Sequence, residues 1–216
     1  MSAPVDDRET TIALQRLAIG ALLVASTAAL GILVTANAQI GVDDWWNGFV
    51  RAFAGFQSVA LALNFLGGGW FATFVVPLGG CAVLLMLRRP WGAAFVVLAS
   101  AASAGGVQAL KAIFGRARPE DIIVASDYGS FPSGHTANAA TLAIVAVVLL
   151  PRVGVAIVGA TWVLAMAFSR TQVHAHWLSD TVGGMLAGAG IALVAASVLT
   201  TRLDAEQRAR VARLAA

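Results

Sequence analysis

Apolar stretches long enough to cross a bilayer follow one another along most of the chain, and charge is confined to the joints between them. A spanning helix needs roughly 20 mostly apolar residues. Leu17 to Val42 carries no charge and supplies a first span over about 17–36. The uncharged stretch Ala52 to Leu87 is too long for one span, and Gly67-Gly68-Gly69 breaks it. That leaves a short interfacial piece followed by a second span over about 69–87. A third span, 90–110, opens at Pro90, where a helix start tolerates proline. The remaining spans are expected at about 133–150, 153–169 and 177–199, with 201–216 as a tail. The pattern predicts an all-α membrane protein, one six-span bundle over 1–216, with no repeat or low-complexity linker.

Composition agrees. The chain is 59% hydrophobic and 12% charged, with a mean hydropathy of +0.82, against about 25% charged in an ordinary soluble domain. That excludes both a water-facing globule and a disordered chain. The apolar core of the first span, about 20 residues, exceeds the 7–15 of a signal-peptide core, so an uncleaved span is expected despite Ala36-Asn37-Ala38. The single cysteine, Cys81, reads as a small buried hydrophobe and forbids an intrachain disulfide. The surplus of positive charge is small, +3, and in a membrane protein it sets orientation rather than marking a nucleic-acid partner.

With both termini on one side, that side holds nine basic residues and the other only Arg51, Lys111, Arg116, Arg118 and Arg170. The positive-inside rule then puts the termini in the cytoplasm of a multi-pass cell-membrane protein. Arg51 shares its loop with Asp43, Asp44, Trp45 and Trp46, a polar-aromatic segment suited to the outer interface. The other four outer cations keep unusual company: all three histidines (His135, His174, His176) and the only lysine fall on the same side.

The parts fit phosphoryl-transfer chemistry. Ser133-Gly134-His135 opens the fourth span, where unpaired N–H groups and the helix dipole make an anion site that Gly134 leaves open to close approach. Lys111, Arg118 and Arg170 supply three cations to oppose a phosphate. His176 and Asp180 are four apart, so they are expected on one face at the start of the sixth helix, the carboxylate fixing the tautomer and freeing the other nitrogen to attack. His135 would protonate a leaving oxygen. His174 and His176 with Asp180 lack the further ligands a zinc site wants, and the neighbouring cations would repel one, so no metal is expected.

These residues resemble the type 2 phosphatidic acid phosphatase superfamily of membrane lipid phosphatases, which also includes vanadium haloperoxidases. The signature K-x6-R-P, P-S-G-H, S-R-x5-H-x3-D reads here as Lys111 to Pro119, Pro132 to His135, and Ser169 to Asp180, with every signature residue present. The resemblance implies an antiparallel helical bundle with the site at the extracytoplasmic ends of the third to sixth spans, and catalysis without metal or cofactor. By position, His176 would form a phosphohistidine with Asp180 supporting it and His135 protonating the leaving group. Lys111, Arg118, Ser133, Gly134 and Arg170 would hold the phosphate. Family members often carry glycine two residues before the nucleophile, where this chain has His174. Arg116 is extra to the signature and is expected to meet a second phosphate or a headgroup. The loop Glu120 to Phe131 is expected to shape the headgroup pocket, its acids Glu120, Asp121 and Asp127 opposing very anionic heads.

The expected activity is hydrolysis of a lipid phosphate or diphosphate at the outer leaflet. Candidates are phosphatidic acid, phosphatidylglycerol phosphate or a polyprenyl diphosphate such as undecaprenyl diphosphate, in a bacterial membrane. A non-catalytic lipid transporter or binding protein, a lipid phosphotransferase and a vanadate haloperoxidase are the alternatives. Oligomeric state is not legible, and the tail reads equally as an interfacial helix or a solvated basic segment.

Overall fold

The computed structural model describes residues 7–37 and 40–215, and these are helical nearly throughout, with no strand among them. In a bilayer a helix satisfies its own backbone polar groups, so an apolar chain with few turn residues has little alternative. The helices are α1 (Asp7–Ala36), α2 (Gly41–Val50), α3 (Gln57–Gly67), α4 (Val76–Met86), α5 (Pro90–Phe114), α6 (Gly134–Leu149), α7 (Val153–Gln172) and α8 (Leu178–Ala215). A 3-10 stretch, 51–56, joins α2 to α3 with a kink at Phe53, and a π-type turn, 71–75, leads into α4.

Several boundaries differ from those expected. α1 begins ten residues before the expected 17, with Asp7 and Glu9 in its first turn where the helix dipole favours acids. α5 runs past 110 to Phe114, α7 past 169 to Gln172. The break between α7 and α8 therefore shortens to a tight turn, 173–177. The expected tail is not a separate segment: α8 continues as one helix of 38 residues, about 57 Å at 1.5 Å per residue. No proline or glycine interrupts it after Gly190. Its far end is also tied down, since the Glu206 carboxylate accepts from the Trp91 and Gly92 N–H groups and from Arg89 Nε. Glu206 thus supplies the negative charge at the start of α5, and Glu9 of α1 pairs with Arg208.

Among the described residues, five stretches are long and apolar enough to cross a membrane: 7–36, 41–67, 90–114, 153–172 and 178–213. The 71–86 and 134–149 helices are shorter. The piece from Ala52 to the glycine run, expected to be short and interfacial, is part of a near-continuous helical strap over 41–67. Asp43 near its start touches Ser179 and Asn64 near its finish touches Arg170, so both ends meet the same end of the bundle. The strap lies across that end, with Trp45, Phe49, Phe56 and Phe65 exposed along its length.

The core has an order set by small residues. α6 and α8 are the central pair: α6 packs against α5, α7 and α8, and α8 packs against α1 and α5 as well. Far from the strap, Phe95, Val145, Leu149 and Ala196 form an apolar cluster. Nearer the strap α6 and α8 come into backbone contact: a Cβ on Gly188 would lie 2.0 Å from the Ala137 carbonyl oxygen, and one on Gly184 2.5 Å from that of Ser133. Such contact requires residues without side chains. It also sets the distance between Ser133 and Asp180, whose backbones share a 2.9 Å hydrogen bond. Gly188→Ala should therefore separate α6 from α8. We expect about 1–3 kcal/mol of lost stability, seen as a lower thermal midpoint in detergent; an unchanged midpoint would contradict this packing.

Candidate active site

Four helix ends meet beneath the strap. α5 delivers Lys111 in its last turn and stops at Gly115, which takes a left-handed conformation and returns its N–H to the Lys111 carbonyl. The chain beyond carries Arg116 and Arg118. α6 starts with Ser133 as its cap, the Oγ facing the Thr136 N–H. α7 ends with Arg170, and α8 begins with Asp180 in its first turn.

His176 does not share a helix with Asp180 as expected, because α8 begins two residues later, at Leu178. Its Nδ1 is 2.8 Å from the Ser130 carbonyl. A carbonyl only accepts, so Nδ1 holds the proton and Nε2 keeps its lone pair. Asp180 Oδ2 stands 3.6 Å from the same Nδ1 and accepts the Trp177 N–H at 2.9 Å. The carboxylate thus contributes charge, while the Ser130 carbonyl makes the orienting hydrogen bond. The imidazole is buried, and burial pulls its pKa down to about 4; Asp180 opposes the shift, and Arg170 and Arg118 reinforce it. The ring is neutral at physiological pH.

The turn that carries His176 is unusual. His174 sits at φ 50°, the left-handed region where glycine costs least, which gives a physical reason for the glycine often found at this place in related motifs. Its ring is anchored, with Nδ1 2.7 Å from Asn47 Oδ1 on α2 and 3.4 Å from Asp121.

Arg116 is not placed for a headgroup. Its guanidinium donates to Asp180 Oδ1, Ser179 Oγ and Asp43 Oδ2, each at 2.7 Å, and all four residues are buried. Asp43 also accepts from the Ser179 N–H and Oγ. Two carboxylates on one guanidinium leave this cluster with a net negative charge behind His176, and positive charge on the ring would be stabilised there. Asp43 is a residue that sequence reasoning missed. Its sequence signal is weak: it is one of two adjacent acids, Asp43 and Asp44, beside a tryptophan pair.

The remaining cations gather in front. Lys111 Nζ donates to Asp127 Oδ1 and the Gly129 carbonyl. Arg118 donates to the Ala175 carbonyl at 2.6 Å and lies 3.2 Å from His176 Nε2. Burial favours the neutral form of the Asp127 carboxyl, but Lys111 and Arg118 outweigh it and hold its pKa below the usual carboxylate range. Arg170 is fully buried, donates to Asn64 Oδ1 of the strap, leaves its Nε without a partner, and has no carboxylate at salt-bridge distance among the described residues. His135 Nε2 lies 3.1 Å from the Asn64 carbonyl and therefore carries a proton. Gly68 makes room for that ring, since a Cβ there would fall 1.9 Å from Nε2. Asn64, like Asp43, was not legible as a site residue.

Lys111, Arg118, Gly134, His135, Arg170 and His176 all line one cavity of about 930 Å³, while Arg116, Ser133 and Asp180 lie behind its wall. From this charged end the cavity runs between the 67–78 segment and α5, lined by Trp70, Phe74, Leu78 and Val97. These four side chains also remain exposed on the outside of the bundle.

A model of the PAP2 superfamily matches residues 91–204, from the start of α5 through most of α8. The chain belongs to the PAP2 superfamily. The match takes in every helix end that contributes to the cavity's charged end, and leaves the strap outside it. The chain is also similar to a lipid A 1-phosphatase of Rhizobium johnstonii, 34% identical over an alignment of 104 residues that covers 41% of this chain and 40% of that protein. The match thus spans about two fifths of that relative. Two solved folds are alike over most of their length. The transmembrane PAP2 type phosphatidylglycerolphosphate phosphatase of Bacillus subtilis has a TM-score of 0.62 at 19% identity, covering 84% of this chain and 96% of the other. Aquifex aeolicus LpxE has a TM-score of 0.52 at 22% identity, covering 78% and 93%. With helices throughout its described elements and several of them long and apolar enough to cross a bilayer, this is an all-helical membrane protein.

For this PAP2 protein the buried imidazole makes a direct test. With histidine labelled for NMR in detergent, one ring should titrate near pH 4, remaining neutral through the range where an ordinary histidine, near 6.5, takes up a proton. A midpoint near 6.5 for His176 would contradict the buried, cation-flanked environment.

Proposed function

We propose that the protein hydrolyses a lipid phosphate through a phosphohistidine intermediate. The observation that carries this reading is a single cavity joining buried cations around His176 Nε2 to an apolar groove exposed on the flank of the bundle. A lipid headgroup would enter the charged end while its chains stay along Trp70, Phe74 and Leu78. Buried Arg170, with no carboxylate beside it, favours an anion at this place, because an uncompensated buried charge is costly.

In this mechanism His176 Nε2 attacks phosphorus and the bond from phosphorus to the lipid oxygen breaks. Lys111, Arg118, Arg170 and the backbone at Gly134 hold the phosphoryl oxygens, as phosphoryl transfer demands. The attacking ring gains positive charge, which the Asp180–Arg116–Asp43 cluster stabilises through Nδ1. His135 is protonated on both ring nitrogens once the phosphate dianion is bound beside it. It turns from the Asn64 carbonyl, gives the Nε2 proton to the leaving oxygen to become the neutral imidazole, and later takes a proton from the water that cleaves the N–P bond. Inorganic phosphate leaves and His176 regains its lone pair.

The relatives' names support a phospholipid or lipid A phosphate as the substrate class. With Arg116 engaged by Asp43, Asp180 and Ser179, the cations left at the cavity match one phosphate group, which favours a monoester over a diphosphate. By the distribution of basic residues, the site faces away from the cytoplasm and both termini face it.

Purified protein in detergent should release inorganic phosphate from phosphatidylglycerol phosphate or phosphatidic acid, and faster than from a polyprenyl diphosphate. His176→Ala should lower turnover by roughly a thousandfold or more while the thermal midpoint is retained. No release from any of these lipids, or full turnover in the variant, would overturn the proposal.

A further inference from the structure

Arg118 has five N–H donors, and every one is directed at the protein's own acceptors. Nε donates to the Asp127 carbonyl, and Nη1 to the Ala175 carbonyl with His176 Nε2 beside it. Nη2 donates to Asp127 Oδ1 at 2.7 Å, with the Asp127 and Gly129 carbonyls also in reach. Lys111 places one donor on the same Asp127 Oδ1, at 3.0 Å, and another on the Gly129 carbonyl. One carboxylate oxygen therefore bridges the two cations at the charged end of the cavity, as a phosphate oxygen would bridge them.

The acceptors differ in what can release them. The carbonyls of Asp127, Gly129 and Ala175 belong to the backbone. Asp127 Oδ1 is the end of a short side chain that is about half exposed on the loop between α5 and α6. Rotation about its own side-chain bonds frees one N–H on Lys111 and one on Arg118, side by side, without moving a helix. Such an exchange is favourable only for an anion that interacts with both cations more strongly than a carboxylate does. A phosphate dianion meets that condition, because charge-assisted bonds strengthen with the charge of the acceptor. A singly charged anion only matches the carboxylate it must replace.

We propose that Asp127 is a built-in rival of the substrate phosphate: its carboxylate competes for the donors of Lys111 and Arg118, and so selects for ligands of higher negative charge. This rests on reading those two cations as the phosphate grip. The test is equilibrium binding of inorganic phosphate at pH 8 to the full-length protein in detergent, with acetate as the singly charged comparison. Asp127→Asn should bind phosphate at least tenfold more tightly than the parent and should newly bind acetate in the millimolar range. Asp127→Glu, which keeps the charge, should stay within about threefold of the parent.

Unchanged or weaker phosphate binding in Asp127→Asn would overturn the proposal. Asp127→Ser serves if the amide variant does not fold. Failure of both to fold, with Asp127→Glu folded, would assign the residue to structure and overturn it too. Binding is measured apart from turnover, so the two readings fail separately. If the parent hydrolyses no lipid phosphate but the tighter binding is found, only the hydrolase reading falls. If it does hydrolyse one and binding is unchanged, only the role of Asp127 falls.

Discussion

The buried cluster of Asp43, Arg116 and Asp180 holds the site together, because it ties three separate parts of the chain to one guanidinium. Asp43 belongs to the strap, Arg116 to the turn after α5, and Asp180 to the first turn of α8. Each charge is almost wholly removed from water, so none could be lost without leaving the others uncompensated, at a cost of roughly 3–5 kcal/mol for a broken buried pair. The same cluster fixes the Asp180 carboxylate 3.6 Å from His176. Structure and chemistry therefore depend on one set of contacts. The strap belongs to the candidate site rather than merely covering it, since Asn64 reaches Arg170 and His135 from its other end.

The two ends of the bundle are built differently. At the far end Arg89 and Glu206 join α5, α6 and α8 through a buried pair, with the Leu149 carbonyl as a further acceptor of Arg89. There the two opposite charges meet each other, both almost wholly removed from water. At the strap end the balance is incomplete: among the described residues the Arg170 guanidinium meets an amide and no carboxylate, and Lys111 and Arg118 share a half-exposed carboxylate. Small residues at the α6–α8 contact bring these groups within range of one another. Polar groups this close to a bilayer are costly to hold, and the rigid apolar packing below them at Phe95, Val145 and Leu149 compensates.

The broad architecture is legible from hydropathy alone, because an apolar run of spanning length has only helix available to it. The boundaries are less so. Hydropathy marks where a helix leaves the apolar layer, whereas α5 and α7 continue into the polar site until Gly115 and the turn at His174 stop them, and α8 continues because Glu206 and Arg208 find partners. The motif spacings place six of the expected site residues on one cavity. The misreading of Arg116 has a clear cause: an arginine beside a phosphate motif looks available until its acceptors are known. Those acceptors lie 64 and 73 residues away in the chain.

By itself the sequence determined that this chain spans a membrane as helices, and which residue types could grip and attack a phosphate. Both follow from local properties, the length of apolar runs and the spacing within short motifs. Only the tertiary structure decided which cations face the cavity and which are locked behind it, and that a carbonyl rather than Asp180 orients the His176 proton. It alone shows a strap outside the motifs completing the site. Those outcomes depend on pairings between distant segments, set by how closely glycine-lined helices approach and by where a buried charge finds its partner.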